Sequence, residues 1–226
     1  MTETIEAVKA GIVPILCAVA GMLVLLFDLA RAGGATRRWI VPTAVLTLLG
    51  GAVLSVVQYS GGLPLLTSVG APAPGHFGGA TVADGLGSFL TAILAVAGLG
   101  AVLLGATYIS DRKLPVGEFH GLLLFATAGA MWMVQSADLV SAFVGLEVLS
   151  VALYVLAGYL RGQRLSGESA VKYFLLGAFA SAFLLYGIVL IYGATGIAGA
   201  AAGLSAPASW TRFDAISEVA GASGAS

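Results

Sequence analysis

The sequence predicts an all-α protein, a polytopic membrane helical bundle of about six transmembrane helices. Three observations predict it. Apolar residues make up 59% of the 226-residue chain and charged residues 9%, with a mean hydropathy of +1.01. A soluble domain carries about 25% charged residues, so a soluble fold of this composition would lack the polar surface to cover itself. Six apolar stretches approach the ~20 residues that cross about 30 Å of hydrocarbon as a helix. The basic residues, finally, collect in alternate connections between those stretches.

The spans are expected near 11–30, 39–59, 86–108, 119–135, 138–160 and 169–193. The first resembles a signal peptide at Ala30-Arg31-Ala32. However, Glu3 and Glu6 precede Lys9, the apolar run is long, and arginines follow it, so it reads as a retained span. Pro14 lies inside it. The second opens on Trp39, suited to the membrane interface, with Pro42 in its first turn, where proline is tolerated. The Gly/Pro-rich stretch 60–85 is expected to be irregular. Glu118 precedes the short fourth span, where the helix dipole favours an acid. His120 beside it is read as interfacial. Asp138 is expected to cap the fifth span. Gly177, Ser181 and Gly187 form a small-residue stripe on the sixth, suited to packing. Residues 197–226 are rich in Ala, Gly and Ser and read as a loop or tail.

Charge gives an orientation. Arg31, Arg37 and Arg38 follow the first span, Arg112 and Lys113 the third, and Arg161 and Arg164 the fifth. No Lys or Arg lies between the second and third spans or between the fourth and fifth. By the positive-inside rule the N-terminus is outside. A net charge of −1 gives no basis for a nucleic-acid partner. Cys17 is the one cysteine, and His76 and His120 are far apart, so neither a disulfide nor a metal site is expected.

Two charges fall inside the spans. Glu147 lies nine residues into the fifth, near mid-bilayer, where a charge costs about 2.5–3.5 kcal/mol on insertion scales. It is either a proton-accepting or gating carboxylate, the default for an intramembrane acid, or a protonated group bonded to a neighbouring helix. Phe143, Ser150 and Tyr154 share its face at helical spacing, and Ser150 and Tyr154 are possible partners. Lys172, one turn into the sixth span, is placed to snorkel or to pair with Glu168 four residues earlier. From a rise of about 1.5 Å per residue, Glu147 and Lys172 differ in depth by on the order of 10 Å. Coupling between them would need water or a third group. Asp28 is expected to pair with Arg31.

A resemblance extends this reading. Gly117-Glu118-Phe119-His120-Gly121-Leu122-Leu123-Leu124-Phe125 opens it, followed by Ser136-Ala137-Asp138-Leu139 and Gly145-Leu146-Glu147-Val148-Leu149-Ser150. Glu168-Ser169-Ala170-Val171-Lys172-Tyr173-Phe174 and Gly193-Ala194-Thr195-Gly196 continue it. These elements resemble the N-terminal part of the antiporter-like subunit N family of proton-translocating NADH:quinone oxidoreductase, respiratory complex I. The match is strong over 117–196 and weak before it. It divides the chain into a three-helix segment, 1–116, the start of an antiporter-like repeat, 117–196, and the tail, 197–226. It implies a proton-translocating subunit of a bacterial inner (cytoplasmic) membrane. That subunit would have no redox cofactor of its own and would work with other complex I membrane subunits, the whole complex using NADH and quinone. Glu147 matches the family's essential glutamate and Lys172 a lysine the family also uses. The family's later charged helices have no counterpart here, so a truncated or split product is expected. A related cation/proton antiporter or membrane-bound hydrogenase subunit, or a non-transporting structural subunit, are the alternatives.

Overall fold

The computed structural model describes residues 11–30, 37–60, 80–82, 84–204 and 209–224. Arg31, Lys9, His76 and most of the 60–85 stretch lie outside the described residues, as do the side chains of Arg37 and Arg38. The helices are α1 Ile12–Ala30, α2 Arg37–Ser60, α3 Gly85–Asp111, α4 Val116–Val134, α5 Leu139–Ala157, α6 Arg164–Ala201 and α7 Phe213–Gly224. Six of them follow the expected spans in order, and the protein is multi-pass. Five (α1, α2, α3, α5 and α6) are long and apolar enough to cross a membrane by themselves.

The remaining bundle helix is α4, and its position explains the difference. It buries ten of its 19 residues, against three of 19 in α5, and packs against α1, α2, α3 and α5. A helix enclosed by other helices shows little surface to lipid. It therefore tolerates His120 and several small residues that a lipid-facing span would not. The core gathers on it: Val13 and Cys17 of α1, Leu48 of α2, Val102 of α3, and Leu124 and Met131 of α4 are all fully buried.

Close helix approach is paid for with glycine. A Cβ on Gly145 of α5 would lie 2.8 Å from the Met133 amide nitrogen and 2.9 Å from the Gly129 carbonyl oxygen of α4. A Cβ on Gly129 would meet the Leu149 nitrogen at 2.6 Å. The α4 and α5 backbones thus touch where these glycines cross. Gly21 of α1 sits in the same way against the Gly121 carbonyl.

Three differences from the expected boundaries have physical causes. The sixth span, expected at 169–193, lies within a 38-residue helix. At about 1.5 Å per residue that helix is about 57 Å long, well over the hydrocarbon thickness. Its charged start, Arg164 to Glu168, is helix-compatible outside the apolar layer. Its glycine-rich end is tied to the following segment, because the one Thr195 hydroxyl hydrogen is shared between the Ile191 carbonyl of its own helix at 2.7 Å and the Trp210 carbonyl at 2.9 Å. Trp210 lies across Gly196 and Gly199. The 197–226 segment, expected as loop or tail, contains α7, whose Ala215 and Val219 are buried while Asp214, Ser217 and Glu218 are exposed. Its first turn carries the Arg212–Asp214 ion pair at 2.7 Å, and the hydrogen bond from Arg212 holds the Asp214 carboxyl below the usual carboxylate range.

One end of the bundle is laced by extended backbone. Residues 135–139 pair on both flanks, with Thr81 opposite Ser136 and Arg212 opposite Asp138. Val82 donates to the Gln135 carbonyl and Ala137 to that of Ala80, while Leu139 donates to Thr211 and Phe213 to Ala137. Asp138 joins this lacing to α5. Its Oδ1 caps the helix, accepting from the Val140 amide at 2.7 Å, as the sequence predicts, and its Oδ2 accepts from the Thr211 hydroxyl at 2.6 Å. Such a cap contributes about 1 kcal/mol.

Candidate functional site

Glu147 stands in the middle of α5, two residues beyond the Gly145 crossing. Its Oε1 is buried and has no hydrogen-bond partner. The predicted partners are thus not engaged with that oxygen. Tyr154 instead packs edge-on against Tyr173, with ring centroids 4.8 Å apart, and against Phe174 at 5.7 Å, both on α6. Its hydroxyl rests on Gly177, where any side chain would collide with it. So Gly177, read from sequence as a packing position, is the seat of Tyr154. An unsatisfied buried oxygen costs about 1–3 kcal/mol, a cost that a proton donor arriving at Oε1 would relieve.

An apolar cleft of about 200 Å³ opens at the same level between α1, α4 and α5, lined by Pro14, Ala128, Gly129, Trp132, Val144 and Val148 among others. Glu147 is not among its lining residues. The Trp132 indole donates to Ser141 Oγ at 3.0 Å, which ties α4 to α5 one helical turn above the crossing.

Lys172 is elsewhere. It is exposed on α6, and its Nζ lies 2.5 Å from Glu168 Oε1 one turn back, the local pair that the spacing allowed. The structure does not bring Lys172 and Glu147 together. Asp28 packs its carboxylate against Gly117 of α4, and its expected partner Arg31 lies outside the described residues. Glu118 forms an exposed 2.8 Å ion pair with Arg161.

Sequence reasoning missed two polar positions. His120, read as interfacial, is fully buried at 0% exposure within the bundle. Gln135, which sequence did not single out, is buried and donates to Thr91 Oγ1 of α3 at 3.1 Å, with its side-chain Oε1 unpartnered. Histidine and glutamine at span ends look interfacial in sequence, and nothing in the pattern marks α4 as the enclosed helix. No group of three or more His, Cys, Asp or Glu able to hold a metal occurs among the described residues.

Residues 136–223 match the family described as NADH:quinone oxidoreductase/Mrp antiporter, transmembrane. NADH-quinone oxidoreductase subunit N 1 of Herpetosiphon aurantiacus is 50% identical over 115 residues, covering 51% of this chain and 23% of its own length. Over residues 136–223 the chain is similar to this antiporter family. NAD(P)H-quinone oxidoreductase subunit 2 of Prochlorococcus marinus extends the likeness to 178 residues at 40% identity, 79% of this chain and 32% of its own. In structure, respiratory complex I from Thermus thermophilus matches with a TM-score of 0.61 at 30% identity, over 81% of this chain and 37% of that one. A chain of the archaeal membrane-bound sulfane sulfur reductase has the same fold, with a TM-score of 0.64 at 22% identity, over 85% and 38%. The resemblance to subunit N read from the motifs is borne out. The chain spans about a quarter to a third of the length of the curated relatives it matches.

Proposed function

We propose that this chain is part of a proton-translocating membrane subunit of NADH:quinone oxidoreductase, coupling quinone reduction elsewhere in the complex to proton movement. The observation that carries the proposal is Glu147: a carboxylate in the middle of an apolar helix, beside a backbone-to-backbone helix crossing, with a buried oxygen left unbonded. An intramembrane acid is by default a functional group, and an unbonded carboxyl oxygen is open to a proton donor. Glu147 is the switchable carboxylate. Lys172 is a relay or tuning charge that acts only after leaving Glu168, so a third group or water joins it to Glu147. The start of the antiporter-like repeat is residues 117–196. The partners are other complex I membrane subunits and the bilayer of a bacterial inner membrane, with the N-terminus outside. NADH and quinone serve the whole complex, and this chain holds no redox centre.

The test is Glu147→Gln in the full-length subunit within the assembled complex, reconstituted in liposomes. Protons moved per NADH oxidised should fall sharply with assembly intact. Undiminished pumping would overturn the reading and leave a structural subunit. A second reading, a cation/proton antiporter subunit, is favoured by one observation, the family's joint description with Mrp antiporters. Mass spectrometry of partners co-purifying from the native membrane separates the two.

A further inference from the structure

The geometry points to His120 as a second proton-binding site of the bundle, one that accepts a hydrogen bond from a buried water at Nε2 and passes protons toward Glu147. The inference rests on the proposed function and adds to it the group that loads Glu147. His120 Nδ1 lies 2.7 Å from the Val116 carbonyl oxygen. A carbonyl only accepts, so Nδ1 carries the hydrogen of the neutral ring, and Nε2 presents a lone pair. That nitrogen is buried and has no hydrogen-bond partner, in a side chain with no exposure at all. The Val102 carbonyl of α3 also lies within hydrogen-bonding reach of the ring, where it can accept only from a protonated nitrogen, and Phe119 meets the ring edge-on at 5.3 Å.

A leucine or phenylalanine would fill this space without leaving a polar atom unsatisfied. A histidine there leaves Nε2 desolvated and unsatisfied until something donates to it. Water is the donor of the right size, and buried waters gather on such groups.

Position supports a relay. Gly129 of α4 crosses α5 between Gly145 and Leu149, so Glu147 is level with Gly129. His120 precedes Gly129 by nine residues, about 13 Å along the helix. It lies toward the end of the bundle that carries Arg112, Lys113 and Arg161. A proton entering there reaches His120 before Glu147.

The step balances simply. A proton borne by water adds to the Nε2 lone pair, making one N–H bond as one O–H bond breaks, while Nδ1–H stays on Val116. The imidazolium then returns the Nε2 proton to the next water on the Glu147 side. Among the described side chains, the titratable groups on the surrounding elements are Cys17 and Asp28 of α1, Tyr59 of α2, Tyr108 and Asp111 of α3, Arg112 and Lys113 in the turn after it, Glu118 of α4, Glu147 and Tyr154 of α5, and Tyr159 and Arg161 in the turn after that. Tyr159 donates to the Pro115 carbonyl and Arg161 is held by Glu118, so neither is bonded to the ring.

The experiment uses the full-length subunit in the assembled complex, in liposomes, with Glu147→Gln run in parallel. His120→Gln retains a polar side chain but cannot exchange a proton. It should assemble normally, slow pumping severalfold and flatten its pH profile. His120→Ala should regain pumping with added imidazole and not with pyrazole, which has the same shape but is a far weaker base. A wild-type rate and pH profile in His120→Gln, equal rescue by both azoles, or rescue by neither would overturn the inference. If Glu147→Gln abolishes pumping while His120→Gln does not, the relay alone falls. If Glu147→Gln pumps normally, the reading of the chain as a pump falls.

Discussion

At the level of single residues, the bundle depends on absent side chains as much as on present ones. Gly145→Ala inserts one methyl group against backbone atoms of α4 at 2.8 and 2.9 Å. Backbone cannot rotate away as a side chain can, so the helices must separate. Overpacking of this kind costs about 1–3 kcal/mol, and the thermal unfolding midpoint of the purified protein should fall measurably. An unchanged midpoint would mean that α4 and α5 do not cross at these glycines. The displacement also moves Glu147, two residues away, so any effect of Gly145→Ala on pumping should accompany its effect on stability.

Among the elements, α6 separates stability from function. Only Ile188, Thr195 and Gly199 of its 38 residues are buried, and Lys172 and Glu168 are 69% and 46% exposed. An exposed pair one turn apart contributes about 0.2–0.5 kcal/mol. Lys172→Ala should therefore leave the unfolding midpoint within about 2 °C, by the usual conversion for a chain of this size. A pumping defect in that variant then reports on charge and not on folding. The helices themselves were legible because each span is a long apolar run bounded by charge. The Asp138 cap was legible because a capping acid acts on amides two and three residues away. The burial of His120 was not, since it depends on which helix the other four surround. The helical end of α6 was not either, because Gly193-Ala194-Thr195-Gly196 reads as a breaker until Trp210 closes over it.

Across the whole molecule, the alternation of basic connections makes a geometric prediction. Cys17 is fully buried, so the chain offers a silent background for thiol labelling. Lys113→Cys, in the turn between α3 and α4, should react with an impermeant reagent from the cytoplasmic side. Ser209→Cys, at the laced end, should react from the opposite side. The reverse pattern would invert the bundle. The lacing has a further consequence, which concerns synthesis. Residues 135–139 bond to residues on both sides of them in sequence, and the later partners, Thr211 to Phe213, follow by more than seventy positions. During translation the fifth helix is therefore threaded while half of its pairing segment is still bare. The Leu139 amide and one oxygen of Asp138 wait for a stretch that has not left the ribosome. Until that stretch arrives, this edge of the nascent protein is open, and a chaperone or protease has its opportunity there.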